Sequence, residues 1–257
     1  MKKCGSVFLI FWLAGGFLWG EEFSSIRILT YNVHNTRGMD HPAMDVPRIA
    51  RIVRETACTV AALQELDCRT ERSQGRDLLA ELAEETELVP TFGKAIDFQG
   101  GGYGVGILSR EKPRQVREIP LPGREEKRMA LLAEYEEFFF CSTHWSLNAE
   151  DRFQSAEILC RELENLSKPV LLAGDLNAEP NSKEINRLRQ IGICVSPLEG
   201  TWPADIPQKT IDYIWVFLPE GTLLHVVKSQ ILNEPAASDH RPVLVEIELK
   251  SLAMPSP

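Results

Sequence analysis

The chain has 257 residues, 44% of them hydrophobic and 25% charged, which is enough apolar content for one large domain with a substantial core. Its formal net charge of -9 argues against a protein that grips nucleic acid through a broad basic face, though not against one that holds a few phosphates through a metal. None of the six cysteines stands in C-x-x-C spacing, which argues against a cysteine-based zinc site.

In chain order, Lys2 and Lys3 precede an apolar run from Val7 to Trp19. A charged start followed by an apolar stretch too short to span a bilayer comfortably reads as a signal peptide over residues 1–20. The expected location is therefore periplasmic or secreted, with an uncleaved anchor as the competing reading. Cys4 lies ahead of the apolar run, unlike a lipoprotein cysteine. Export permits a disulfide between Cys58 and Cys68, but spacing alone leaves the pairing open. Cys141 and Cys160 sit inside apolar patterns and read as buried hydrophobes.

The folded domain is expected over 24–250, followed by a frayed tail at 251–257. "IRILTYNV" from Ile26 reads as a strand, and "VPRIARIVRET" from Val46 has helical spacing, with Pro47 tolerated in the first turn. "TVAALQEL" is a second strand, "DLLAELAEET" from Asp77 a short amphipathic helix, and "GYGVGILS" a strand rich in glycine. "RMALLAEYEEFFFCSTHW" gives two strands around an acidic turn at Glu136 and Glu137. The longest helix runs from Glu150 to Leu166, with a stripe at Phe153, Ala156, Leu159, Leu163 and Leu166. "LLAGDLN", a helix near Ser182 to Gln190, and the strands "TIDYIWVF", "LLHVVKSQI" and "PVLVEIEL" complete the pattern. Strands outnumber helices, and few helices separate the late strands. This predicts an α+β fold, a sandwich of mixed sheets with helices on the outer faces.

Polar residues recur where these strands end: Asn32, Glu65, His144 with Asn148, Asp175 with Asn177, and Asp239 with His240. Asp212 stands inside the apolar run "TIDYIW", where a carboxylate needs a partner or an ion. Singly, each has an ordinary explanation in a turn, a solvated surface or a satisfied interior histidine. Together they point to catalysis. Carboxylates with an amide oxygen suit Mg²⁺, and two histidines suit proton transfer or charge stabilisation. No G-x-S-x-G, S-x-x-K or activated-cysteine motif appears, so a covalent nucleophile is not expected.

The ordered blocks "YNVHN", "LQEL", "YGVGILS", "STHWSLN", "GDLN", "IDYIW" and "SDHRPV" resemble the endonuclease/exonuclease/phosphatase superfamily. That resemblance covers nearly all of the chain after the leader. It implies a four-layered α/β/β/α sandwich with the site at one edge, where the two sheets meet. It also implies metal ligation by Glu65 with Asn32, and by Asp239 through water, with Mg²⁺ or Mn²⁺ as the ion. Asp175 would take a proton from the attacking water, Asn177 would orient water and phosphate, and His144 would donate to a phosphate oxygen. His240, held in its tautomer by Asp212, would stabilise the transition state. Two departures stand out. His34 occupies a place where some nuclease members carry an acidic residue, and Thr210 replaces an arginine common before "IDY", leaving Lys209 or Arg128 to supply that contact. Trp202 in "TWP" reads equally as a stacking platform or as packing.

The expected activity is that of an exported phosphoesterase cleaving a phosphodiester, with a secreted nuclease or a catalytically silent binding module as alternatives. The expected substrate is a phosphorylated small molecule or lipid headgroup. Nucleic acid remains open, no obligate protein partner is expected, and the chain is expected to be a monomer.

Overall fold

The computed structural model describes residues 24–251. The leader expected at 1–20 and the tail beyond Ser251 lie outside them. In chain order the elements are β1 (Ser24–Asn32), α1 (Val46–Thr56), β2 (Val60–Cys68), α2 (Leu78–Thr86), β3 (Val89–Phe98), β4 (Gly101–Ser109) and β5 (Gln115–Leu121). Then follow β6 (Arg128–Glu134), β7 (Phe139–His144), α3 (Ala149–Leu163), β8 (Val170–Asp175), α4 (Lys183–Leu188), β9 (Ile193–Cys194), β10 (Asp212–Phe217), β11 (Thr222–Ile231) and β12 (Val243–Ser251).

The strands form two six-stranded sheets, in the orders β11-β12-β1-β2-β4-β3 and β5-β6-β7-β8-β10-β9. Each sheet is antiparallel except at its centre, where β1 pairs parallel with β2, and β7 with β8. Parallel neighbours need a crossover, and α1 and α3 provide it. Period-two alternation then assigns the faces. Ile26 and Ile28 of β1, Leu171 and Ala173 of β8, and Ile214 and Val216 of β10 share one core between the sheets. Leu29 and Tyr31 pack under α1 and α2, whereas Leu172, Tyr213 and Trp215 pack under α3 and α4. The result is the layered α/β/β/α sandwich.

The helices start where side chains cap them. Asp45, Asp77 and Ser182 each accept a first-turn N–H, while Asn148 accepts two, from Glu150 and Asp151. Asn148 is therefore accounted for as the cap of α3. Two substantial strands, β3 and β5, are absent from the sequence expectation, and both lie at sheet edges. The pairing of β3 with β4 slips between Lys94 and Ile96, and most of β5 is exposed, so neither shows the alternation that marks a half-buried strand. Cys58 and Cys68 are unpaired thiols, as are Cys141, Cys160 and Cys194.

Candidate active site

The carboxyl ends of the two central parallel pairs meet at one edge of the sandwich. There β1 and β2 bring Asn32 and Glu65, while β7 and β8 bring His144 and Asp175. Ends of parallel strands are where open α/β sheets bind ligands. Asn32, His144, Asp175 and Asp212 continue the inward-facing alternation of their strands. Each stands at the site end of an inward face that is otherwise apolar apart from Thr30 in β1 and Ser142 in β7. In the register, His144 lies beside Asp175, and Asp212 lies directly across from it.

Glu65 arrives differently. Strict alternation would aim it at the α1/α2 side with Ala61 and Leu63. Between Leu63 and Leu66 the pairing with β4 slips, and Glu65 takes φ = 60°. This bulge re-aims the carboxylate into the cleft. Asn177 also has a left-handed φ of 48°, which lets its backbone N–H reach Asp175 Oδ1 at 2.9 Å while its side-chain N–H₂ donates to the Trp145 carbonyl at 3.1 Å. Gly174 has no substitute: a Cβ there would sit 2.0 Å from the Thr143 carbonyl oxygen. That close approach of β8 to β7 sets Asp175 beside His144.

Charge and hydrogen bonding define the centre. His240 Nδ1 lies 2.9 Å from Asp212 Oδ2, and its Nε2 lies 3.7 Å from Asp175 Oδ2. Burial alone would lower the His240 pKa, but the Asp212 and Asp175 carboxylates outweigh it and hold the imidazole up to about 10. Burial, reinforced by Asp212, raises Asp175 to about 7 against the opposing pull of His240. His144 is the opposite case. Burial, then the Arg128 guanidinium and His240, push its pKa well below the ordinary value, so it is neutral. Arg128 donates to His144 Nδ1 at 3.2 Å, which fixes the histidine's one proton on Nε2, 3.4 Å from Asp175 Oδ2.

Asn32 donates from its amide nitrogen to Glu65 Oε1 at 3.0 Å and to Asp175 Oδ2 at 3.1 Å, while its oxygen accepts from the backbone of His34 at 3.1 Å. The backbone donor fixes the orientation of the amide. Asp239 accepts from Trp202 Nε1 at 3.4 Å and lines the same cleft, whose volume is about 620 Å³. All eight site residues expected from sequence thus gather at one edge: Asn32, Glu65, His144, Asp175, Asn177, Asp212, Asp239 and His240. Further wall residues outside that set include Tyr103, Glu126, Arg152 and Glu179. Tyr103 had a readable signal, since it shares the inward alternation of Val105 and Ile107.

Among the described residues, Asp175, Asp212 and His240 bring ligand atoms within 4.8 Å of one another, so this cluster is one place that could hold a metal ion. A protonated His240 is a poor ligand, however, because both of its nitrogens are then donors. The second donor set is all oxygen. Glu65 and Asp175 converge on one amide, and Asp239 lies on the same wall. Like charges so close call for a cation, and oxygen donors without a thiolate fit a hard divalent ion.

A family model described as the endonuclease/exonuclease/phosphatase family matches residues 29–240. No curated protein sequence matches the chain. Similar solved structures include an endonuclease/exonuclease/phosphatase from Beutenbergia cavernae, 22% identical, with a TM-score of 0.73, covering 88% of this chain and 72% of that one. An endonuclease/exonuclease/phosphatase family protein from Bacteroides thetaiotaomicron is 18% identical with a TM-score of 0.75, covering 92% and 99%. A mannosyl-6-phosphatase from the same organism is 18% identical with a TM-score of 0.68, covering 86% and 99%.

Proposed function

The chain belongs to the endonuclease/exonuclease/phosphatase family, and on that premise we propose that it is an exported, metal-dependent hydrolase of small phosphoesters, cleaving a phosphodiester by in-line attack of water. The observation that carries this reading is the buried Asp175. It stands between a neutral His144 and a charged His240, with the carboxylate of Glu65 reached through the same Asn32 amide.

Each residue has work suited to its state. Asp175, raised toward neutrality, accepts a proton from water at Oδ2. Asn177 lines the cleft beside it and positions the water. His144 donates from Nε2 to a phosphate oxygen, its ring held by Arg128. His240, kept charged by Asp212, stabilises the negative charge that builds on the equatorial oxygens. As the water oxygen bonds to phosphorus, the bond to the leaving alcohol breaks, and the departing oxygen regains a proton through solvent. Glu65, with Asp239, would hold Mg²⁺ or Mn²⁺, which supplies charge neutralisation and Lewis acidity at the phosphate. Asn32, expected as a ligand beside Glu65, turns its amide nitrogen to the carboxylates and would orient Glu65 instead.

The test is turnover of a panel of phosphodiesters and phosphomonoesters with and without Mg²⁺. Monoesters belong on it because one structural relative is a mannosyl-6-phosphatase. Hydrolysis of a small diester that EDTA abolishes and Mg²⁺ or Mn²⁺ restores is the expected result. Full activity in excess EDTA overturns metal dependence. Nicking of plasmid DNA with negligible small-substrate turnover makes the enzyme a nuclease instead.

A further inference from the structure

The connection from β2 to α2, "RTERSQGR" from Arg69 to Arg76, has no part in the chemistry above, yet one of its side chains reaches back to the site. Arg72 is half-buried. Its Nε donates to Asp67 Oδ2 at 2.7 Å and its Nη2 to Asp67 Oδ1 at 3.1 Å, a two-pronged pair with a carboxylate residue that is 1% exposed. The same Nη2 donates to Asn35 Oδ1 at 2.7 Å. The guanidinium carbon lies 4.6 Å from the Phe98 ring centroid and 5.0 Å from that of Tyr103, which lines the cleft. The Arg72 backbone is held as well. Its N–H donates to the Gln99 side-chain oxygen at 2.9 Å, and the Arg37 guanidinium donates to its carbonyl at 3.3 Å.

Both partners of Arg72 adjoin residues that aim the site. Asp67 follows the bulge that turns Glu65 into the cleft, where the pairing with β4 has resumed opposite Tyr103. Asn35 is the middle of three successive residues in left-handed backbone, His34, Asn35 and Thr36, with φ of 45°, 54° and 59°. None is glycine, so the turn persists only because its surroundings hold it. What the turn supplies is the His34 N–H at Asn32 Oδ1, which points the Asn32 amide nitrogen at Glu65 and Asp175. Neutralising Asp67 takes one donor, and a lysine would serve. Reaching Asp67 and Asn35 together takes the fork of an arginine.

We propose that Arg72 is a positioning residue for the metal-holding carboxylates: it ties the left-handed turn after β1 to the bulged end of β2, and so sets Asn32 and Glu65 against one another. It acts through Asn35 and Asp67 rather than on the phosphate. This role rests on the reading of Glu65 as the metal ligand of a phosphoesterase, and adds to it the group that fixes the ligand's aim.

The experiment titrates Mn²⁺ into the full chain by calorimetry, with Glu65→Gln marking the binding that belongs to the site, and measures diester turnover against Mg²⁺ concentration. Arg72→Lys keeps a charge beside Asp67 but lacks the fork. It should weaken Mn²⁺ binding about tenfold, as loss of a group that supports a metal ligand typically does. The Mg²⁺ concentration for half-maximal turnover should rise by the same factor, while kcat at saturating Mg²⁺ stays close to that of the wild type. Arg76→Gln, in the same connection but paired with Glu81, should change neither. Wild-type Mn²⁺ affinity in folded Arg72→Lys overturns the clamp. Equal weakening by Arg76→Gln also overturns it, because the effect would then belong to the connection as a whole. If Arg72→Lys does not fold, Asn35→Gly decides by the same criterion, since glycine accepts that φ and only the side-chain acceptor is lost. If Mn²⁺ binds but no phosphoester is turned over, the phosphoesterase reading fails, and the Mn²⁺ affinities alone decide the clamp. Absence from the wild type of any Mn²⁺ binding that Glu65→Gln removes overturns the clamp together with the metal assignment.

Discussion

The two ends of the sandwich carry cavities of similar size and opposite character. At the end that holds the candidate site a cleft of about 620 Å³ is built on Asp175, His144 and His240, all buried. At the other end a cavity of about 520 Å³ is lined by Ser24, Thr59, Ser109, Arg110, Glu111 and Glu137, among others. There the arginine and the carboxylates are exposed. Volume alone does not mark a functional site. Charged groups taken out of water and left facing one another do, because burial is costly unless the charges are paired or used.

The largest effect that would break this contrast is catalytic. Asp175→Asn keeps the shape but removes the proposed base, and should lower kcat/KM by about a hundred- to ten-thousand-fold. Glu111→Gln at the opposite end should change kcat/KM by less than about twofold, the usual outcome for a surface change. Steady-state kinetics on the same diester checks both, and a fully active Asp175→Asn enzyme would show that the base lies elsewhere.

Next is stability. Asp212 is 0% exposed and its partner is His240 at 2.9 Å. Removing one member of a buried charged pair typically costs about 3–5 kcal/mol, so Asp212→Ala should shift the urea midpoint strongly. An unchanged midpoint would mean that the pair contributes nothing to the fold.

The pH dependence follows from the same pair of shifts. Under the proposed mechanism Asp175 loses its proton to act as base, so activity should rise as pH approaches about 7. The same mechanism keeps the proton on His240, so activity should fall as pH passes about 10. Outside these limbs the rate should drop about tenfold per pH unit. For stability, a histidine whose pKa is raised on folding contributes fully below its ordinary value, and the contribution is lost as pH rises through about 10. Denaturant titrations between pH 6 and 11 should show that decline, and Asp212→Asn should flatten it.

The smallest effect sharpens the geometry. Gly174→Ala places a methyl against the Thr143 carbonyl, 2.0 Å away, and must push β8 from β7. Overpacking of this kind costs about 1–3 kcal/mol. Activity should fall more than stability, because Asp175 moves relative to His144. Loss of stability with unchanged kcat would place the strain elsewhere.

Alternation along each strand already settled much of this in the sequence. Asn32 follows Ile26, Ile28 and Thr30 on one face, Asp175 follows Leu171 and Ala173, and Asp212 precedes Ile214 and Val216. A period of two assigns those side chains to a common kind of face without coordinates. The apolar spacing of the helices was equally legible, because it depends on neighbours within a few residues, but Asn148, read as a strand-end site candidate, caps α3, and Phe153 of the expected stripe is only half-buried. The edge strands β3 and β5 were not, since pairing on one side holds them with little burial to leave a pattern. The aim of Glu65 was hidden as well, because a bulge reverses what alternation predicts. So was the protonation of the two histidines. Their rings are identical in sequence, and only tertiary packing sets one beside Arg128 and the other between two carboxylates. Local chemistry chose the residues. Contacts between strands far apart in the chain chose their charge and direction, because electrostatic energy depends on distance in space and not along the sequence.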